Sequence, residues 1–223
     1  VNASAVTMIT GTASEIKTVY ASSGISGLGD EVITLSASSA TAADLNTINT
    51  ATTGLIAATA ITDITGTVSA IATLIADEVS SGNGVDLDGD FTVSVSDTGA
   101  VAAADLNTIN GATGSIVDAQ AVIGITGTAA ELVTLINNEG DAGDKVNLDG
   151  DFAVTITNTP TDAQLATIDA ATTGTISYGS DNDVTVTDQS VRASYLNTLD
   201  SNTSGSVNAS AVTMITGTAS EIK

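Results

Sequence analysis

An eight-residue pattern recurs seven times along this chain and restricts it to a repetitive architecture. The pattern is a small polar residue, two small residues, an acid or amide, an aliphatic, any residue, Thr and a second aliphatic, as in TAADLNTI at 41–48. The central aliphatics are Ile16, Leu45, Ile71, Leu106, Leu132, Leu165 and Leu196. They lie 26 to 35 residues apart, a spacing typical of proteins in which each repeat buries its apolar face against its neighbours.

Each copy of the pattern predicts a short helix. Four copies place Thr three residues before an acid or Gln, the spacing of a capping box: Thr12–Glu15, Thr41–Asp44, Thr128–Glu131 and Thr161–Gln164. Gly54 and Gly174 follow two of the helices, and we expect them to cap the C-termini. The Thr two residues after each central aliphatic, such as Thr47, is expected to form a column that bonds a neighbouring repeat.

Between the helices, the sequence alternates apolar and polar residues as a strand does. The clearest cases are DFTVSVSD at 90–97, DFAVTITN at 151–158 and DVTVTD at 183–188. LIAATAITDI at 55–64 is apolar enough for one or two short strands. Each repeat is therefore one or two strands and a short helix. We predict an α/β solenoid of seven stacked coils, with a string of small βα domains as the alternative.

A second, longer period is superimposed on the seven coils. The first seventeen residues, VNASAVTMITGTASEIK, recur letter for letter at 207–223. We therefore interpret 1–206 as one full long repeat and 207–223 as the start of the next identical one. Such a pattern is expected of a segment cut from a tandem array.

Composition excludes several classes of function. The chain has 26 acidic and four basic residues and a formal net charge of −22, so it would repel nucleic acid and anionic lipid. It has no Cys and no His, which removes disulfides, thiolate metal sites and the usual general base. Hydrophobic residues make up 42%, which argues against disorder, but no run is long enough to cross a bilayer.

Two acidic stretches, VDLDGDF at 85–91 and VNLDGDF at 146–152, are the candidate metal site. Their potential Ca²⁺ ligands are Asp86, Asp88, Asp90, Asn147, Asp149 and Asp151. Ca²⁺ binds six to eight oxygens at such close spacing, although the order differs from that of an EF-hand. The alternative is an Asp-Gly turn between two strands with solvated acids. The adjacent GDAGDK at 140–145 is a weaker candidate.

Catalysis and ice binding are both less consistent with the sequence. A Ser nucleophile needs a base, and only Lys17, Lys145 or Lys223 could serve. We therefore predict no enzymatic activity and no required cofactor. Pairs such as Thr10 and Thr12 could form flat Thr rows that match ice, but the second Thr is expected to be a helix N-cap with its hydroxyl occupied.

With AADLNTINTATTG, AITDITGT and GTAAELVTLI, the chain resembles the tandem arrays of giant bacterial surface proteins, including those of marine cyanobacteria. The resemblance covers essentially the whole chain and rests on repeat style and composition. It implies an extracellular or cell-surface location and a structural or adhesive role. It assigns no functional residues.

The sequence thus predicts a non-catalytic segment of a giant or polymeric extracellular fibre. Its expected partners are neighbouring copies of the same repeat, joined covalently or head to tail, and lateral fibre partners. Nucleic acid and membrane insertion are not expected. The alternative is a Ca²⁺-stiffened adhesin stalk or a glycan- or ice-binding surface module.

Overall fold

The computed structural model describes residues 1–143, 145–178 and 183–222. Asp144 of the GDAGDK loop and Lys223 lie outside the described residues. Within those ranges the chain forms seven helices: α1 (Ala13–Tyr20), α2 (Ala42–Ala51), α3 (Val68–Ala76), α4 (Ala103–Ala112), α5 (Ala129–Asn137), α6 (Asp162–Ala171) and α7 (Ala193–Asn202). The chain divides into two compact units.

Unit 1 comprises Val1–Asp97, Thr108–Ala121 and Gly140–Asn147 and contains two parallel sheets. Its strands are β1 (Met8–Gly11), β2 (Val32–Leu35), β3 (Ser39–Thr41), β4 (Leu55–Ala58), β5 (Asp63–Gly66), β6 (Gly84–Leu87), β7 (Thr92–Val95), β9 (Val117–Asp118) and β11 (Val146–Asn147). The strand between β7 and β9 in the chain, β8 (Ala100–Ala102), belongs to unit 2. One sheet has the order β1-β2-β4-β6 and the other the order β11-β9-β7-β5-β3.

Unit 2 comprises Thr98–Asn107, Val122–Glu139 and the chain from Leu148 onward. Its further strands are β10 (Gly124–Gly127), β12 (Ala153–Ile156), β13 (Ile176–Tyr178), β14 (Val184–Thr185), β15 (Ser190–Arg192), β16 (Val207–Asn208) and β17 (Met214–Thr216). A four-stranded sheet has the order β13-β12-β10-β8, and β14-β16 and β15-β17 form two-stranded sheets. The pairing within each of these sheets is parallel.

Stacked aliphatic side chains form the core of unit 1. In the first sheet Ile33, Ile56 and Val85 lie in one row across successive strands, and all three are buried. In the second sheet Val93, Val117 and Val146 form an equivalent row, preceded by Ile64. Because side chains alternate between the faces of a strand, this register keeps every β-branched residue of the row on the buried face.

The predicted helices and strands are confirmed. All seven copies of the eight-residue pattern lie at helices that begin within a residue of the expected position, and the alternating stretches form β7, β12 and β14. Complete capping boxes form at Thr12, Thr128 and Thr161. At Thr41 only the Thr hydroxyl accepts from Asp44 N–H, so the shorter Asp makes half of the box.

The prediction that Gly54 and Gly174 cap helix C-termini is wrong. The helices before them end in the extended residues Thr52 and Thr172, and neither glycine has a positive φ. A β-carbon at Gly54 would overlap the carbonyl of Glu31, and one at Gly174 would overlap that of Phe152. The glycines are therefore required for close approach of the preceding strand's backbone.

The Thr two residues before each of these glycines bonds the helix end to that backbone. Thr52 Oγ1 donates to Glu31 O at 2.8 Å and accepts from Gly54 N–H at 3.0 Å. Thr172 makes the same pair of bonds with Phe152 O and Gly174 N–H, at 2.5 and 2.9 Å. Both Thr side chains are buried, so the two bonds satisfy polar groups that water does not reach.

The predicted Thr column between repeats is also wrong. Thr47 Oγ1 donates to Ala43 O, four residues back in its own helix, and Thr73, Thr134, Thr167 and Thr198 make the same local bond. Asn46, the residue before Thr47, makes the contact between helices instead. Asn46 Nδ2 donates to Ala70 O of α3 at 2.9 Å.

Replacing Thr52 with Val should destabilise the protein by about 1–3 kcal/mol, because the Glu31 carbonyl and Gly54 N–H lose their buried partner while the side-chain shape is retained. Chemical denaturation should measure the loss. The matched control is Thr53→Val at the neighbouring exposed position, where the change should cost much less. Equal losses at the two positions would contradict the role given to Thr52.

Candidate functional site

The two acidic stretches occupy similar local positions, and each contains a turn with exposed acids. Asp86 lies in β6 and Asn147 in β11, both half-buried, while Asp88, Asp90, Asp149 and Asp151 are exposed. The Asp-Gly turn at 88–90 connects β6 to β7, which belong to different parallel sheets, so it is not a hairpin turn.

The backbone of each turn binds the loop that follows the next helix, residues 113–115 for the first turn and 172–174 for the second. Gly89 O accepts from Gly114 N–H at 2.7 Å, and Asp90 O accepts from Ser115 Oγ at 2.7 Å. Gly150 O accepts from Thr173 N–H at 2.9 Å. Over the described residues, the structure brings together no group of three or more His, Cys, Asp or Glu side chains that could hold a metal ion.

The duplicated segment at 1–17, the first joint, pairs with the strand that follows it. Met8–Gly11 runs parallel to Val32–Leu35, with Met8 opposite Val32. Val32 N–H donates to Thr7 O at 3.0 Å, Ser36 N–H donates to Gly11 O at 3.1 Å, and Ala3 N–H donates to Ser26 O at 2.7 Å. Among the described strands, β1 is the end of its sheet.

The identical segment from Val207 to Ile222, the second joint, pairs with the strands that precede it. Met214–Thr216 runs parallel to Ser190–Arg192, and Val207–Asn208 runs parallel to Val184–Thr185. Thr213 and Met214 both donate their N–H to Gln189 O, at 2.8 and 3.0 Å. Asn197 Nδ2 donates to Glu221 O at 3.0 Å, the same contact that Asn46 makes with α3.

Outside the strand ladders, the two joints use different backbone atoms of the same sequence. The first joint bonds through Val1 O, Ala3 N–H, Thr7 O and Gly11 O. The second bonds through Asn208 O and the N–H groups of Thr213 and Met214, whose counterparts in the first joint are Asn2, Thr7 and Met8. Since the two sets do not overlap, one copy can pair on both edges at once.

Exposed apolar side chains are concentrated in the joints. In the described parts of the chain, eight large apolar side chains are exposed, and six belong to the joints: Val1, Val6, Met8, Met214, Ile215 and Ile222. Ile16 is 1% exposed where a following coil covers it, and its counterpart Ile222 is 55% exposed. Met8 and Met214, which occupy the same position in the two joints, are both exposed, at 59% and 57%.

Glu31 supports the strand that receives the first joint. Its side chain is fully buried beside β2, where Gly29 N–H donates to Oε2 at 2.9 Å and the Tyr20 hydroxyl donates to Oε2 at 2.8 Å. Burial alone would raise the pKa of the Glu31 carboxyl, but these donors and the N–H groups of Glu31 and Asp30 lower it overall. Burial, together with Glu31, raises the pKa of Tyr20 to about 12.

Sequence reasoning missed a set of helix caps supplied by residues that follow a later strand. Asp97 Oδ2 accepts from Val68 N–H at 2.7 Å, and Asn158 Oδ1 accepts from Ala129 N–H at 2.8 Å. Both acceptors end an alternating strand sequence, as does Asp188, which accepts from Asp162 N–H. The signal was a polar Asp or Asn closing each strand, but its partner lies 26 to 29 residues earlier in the chain.

Comparison with known proteins gives no family assignment, because no family model, curated protein or solved structure matches the chain. Among the described helices, none combines the length and apolar character needed to span a membrane.

Replacing Glu31 with Gln should destabilise the fold by about 1–3 kcal/mol, because the amide brings N–H donors against the donors that now bind the carboxylate. Since the folded state lowers the pKa of Glu31, its stabilising contribution is present above the unfolded pKa near 4.5 and is lost as pH falls through the folded value. Denaturation between pH 7 and 3 should therefore show a smaller acid-dependent loss for Glu31→Gln than for wild type. The neighbouring exposed Asp30→Asn removes the same formal charge and serves as control; a profile for Glu31→Gln parallel to wild type would contradict the prediction.

Proposed function

We propose that this chain is a non-catalytic structural segment of a bacterial extracellular or cell-surface fibre, built from tandem copies of the 206-residue period. Its strand-and-helix repeats would stack as coils of an α/β solenoid, as in the giant surface-protein arrays that the sequence resembles. The relevant partners are neighbouring copies of the same repeat, with lateral contacts between fibres as a further class.

The observation that carries the proposal is the pairing of one sequence through two opposite edges. A linker between independent domains has no need of two complementary sets of backbone bonds. A joint inside a continuous stack needs both sets of bonds, because every interior strand of a parallel sheet bonds a neighbour on each side.

The contacts between successive strands further support stacking over a string of βα domains. Aliphatic rows run through three or four strands of a sheet, and Thr52, Asn46 and Asp97 each bond the backbone of a different coil. Repeat proteins derive their stability from such nearest-neighbour interfaces. The net charge of −22 favours solubility and keeps fibres apart at low ionic strength.

A two-period chain tests the proposal. Residues 1–206 followed directly by 1–223 contain one interior joint, and hydrogen exchange of that joint should be as slow as that of Val32–Leu35 because both of its edges are paired. The joints at the two ends of the same molecule are the matched controls and should exchange faster. An interior joint that exchanges as fast as the end joints would favour independent domains. The intact native polypeptide should also far exceed 21.8 kDa on a denaturing gel.

A Ca²⁺-stiffened adhesin stalk, or a glycan- or ice-binding surface module, is the second candidate function. Exposed carboxylates on both sides of Gly89 and Gly150, within a strongly acidic chain, favour the Ca²⁺ version. Ice binding is less favoured, because the hydroxyls of Thr12, Thr67 and Thr128 already accept hydrogen bonds from helix N–H groups.

If Ca²⁺ stiffens the stalk, adding Ca²⁺ at about 1–10 mM, the range of extracellular sites, should raise the melting temperature and chelator should reverse the rise. The Asp88→Asn, Asp149→Asn double variant should show a smaller rise. NaCl at matched ionic strength controls for charge screening. An equal rise with NaCl and Ca²⁺ would leave no role for a calcium site.

A further inference from the structure

A cavity of about 280 Å³ lies in unit 1, between the C-terminal ends of α3 and α4 and the turn that connects β6 to β7. It is called here the turn cavity. Its volume falls between that of an apolar cavity that takes up benzene, about 150 Å³, and that of the smallest ordinary ligand pockets, about 300 Å³. The turn cavity can therefore hold a ligand of one ring with a short polar group.

The inner wall of the turn cavity is apolar. Leu87 and Phe91, on either side of the turn, are buried, and Ile75 of α3 is half-buried. An organic group that displaces water from such a wall gains free energy in proportion to the apolar area that it covers. The wall thus favours a ligand with an apolar part.

Two carboxylates lie at the solvent side of the same cavity. Glu78 follows α3, Asp88 lies in the turn, and both residues are exposed. Among the described residues, neither side chain has a hydrogen-bond or salt-bridge partner. None of the residues that line the cavity is basic. Because the mouth carries uncompensated negative charge, the complementary ligand is a cation.

Gly111 borders the cavity at a position where the fold does not require glycine. α4 has Gly111 where α2 has Thr50 and α6 has Ala170. The φ angle of Gly111 is not positive, and a β-carbon built on it would have no atom within 4 Å. Since Gly is a poor helix former, its presence costs α4 stability without relieving a steric conflict. What Gly111 leaves is open space beside the cavity.

We propose that the turn cavity binds a small organic ammonium ion, a protonated primary amine on a ring or a short alkyl chain. In the complex, the apolar part of the ligand lies against Phe91 and Leu87, and its ammonium group faces Glu78 and Asp88. An ammonium has three N–H donors, and hydrogen bonds from it to carboxylates are charge-assisted. This binding does not depend on stacking between copies, so it stands or falls independently of the proposed function.

An organic cation suits the turn cavity better than a metal ion. Ca²⁺ needs six to eight oxygen ligands, and the described part of the chain brings together no group of three or more acidic side chains that could hold a metal ion. Two carboxylates are enough to bind an ammonium group. A hydrated metal ion would also gain nothing from the apolar wall.

Three probes that share one ring test the two halves of the site. Benzylammonium, benzyl alcohol and benzoate differ in the charge of the polar group. In NMR titrations of the wild-type protein in about 0.15 M NaCl, where the Debye length is about 8 Å, benzylammonium should bind about tenfold more tightly than benzyl alcohol, and benzoate should not bind. The amide signals of Gly89 and Gly111 should shift. Equal affinities for the amine and the alcohol would overturn the proposal, as would no binding of the amine.

Filling the space beside Gly111 should remove the binding. Gly111→Leu should weaken benzylammonium binding about tenfold or more without lowering the melting temperature, since Leu is a better helix former than Gly. Ala170→Leu, which adds a side chain at the equivalent exposed position of α6, is the matched control and should leave the affinity unchanged. Wild-type affinity in the Gly111→Leu variant would contradict the assigned cavity.

Removing the two carboxylates should abolish the preference for a cation. Glu78→Gln with Asp88→Asn should lower the affinity for benzylammonium to that for benzyl alcohol, which should itself change little. Glu139→Gln with Asp149→Asn removes two exposed carboxylates at the equivalent places after α5 and in the second acidic stretch, so both double variants have the same net charge. This control should bind benzylammonium as the wild type does when the Gly111 signal is followed. Equal losses in the two double variants would show general attraction to an acidic chain and overturn the proposal.

Discussion

Parallel backbone pairing between successive strands is the constraint on which the rest of the structure depends. It fixes a register in which Ile33, Ile56 and Val85 meet in one buried row. A slip by one residue would turn every side chain of that strand to the opposite face, so the aliphatic row and the backbone bonds specify each other.

The polar contacts between successive strand-and-helix segments include several from a side chain to a backbone group. Thr52 reaches the Glu31 carbonyl, Asn46 reaches that of Ala70, and Asp97 receives the Val68 N–H. Ion pairs are few in a chain with four basic residues, although Lys17 pairs with Asp44 and Arg192 with Asp162. A backbone partner is present at every position whatever its side chain, so coils of diverging sequence can still make equivalent contacts.

Local patterns in the sequence were sufficient to predict the helices, their Thr caps and the main strands, because each depends on residues within one turn or one strand. The roles of Gly54, the Thr47 hydroxyl and Asp97 could not be predicted in this way. The roles of Gly54 and Asp97 depend on a backbone segment more than twenty positions away. The Thr47 hydroxyl could have bonded a neighbouring segment or its own helix, and it bonds its own helix. The opposite pairing of the two joints could not be predicted either, since two identical sequences do not indicate which strand edge each copy uses.

The separation of bonding atoms at the joint has a consequence for how such a protein changes over generations. In the proposed array, one side of the joint would pair with strands before it and the other with strands after it, and neither pairing would depend on how many periods lie beyond. Recombination between two gene copies within the stretch that encodes the joint adds or removes a whole period and creates no new contact between residues. In the proposed array, the length of the polypeptide would therefore be free to vary by whole units without any compensating substitution.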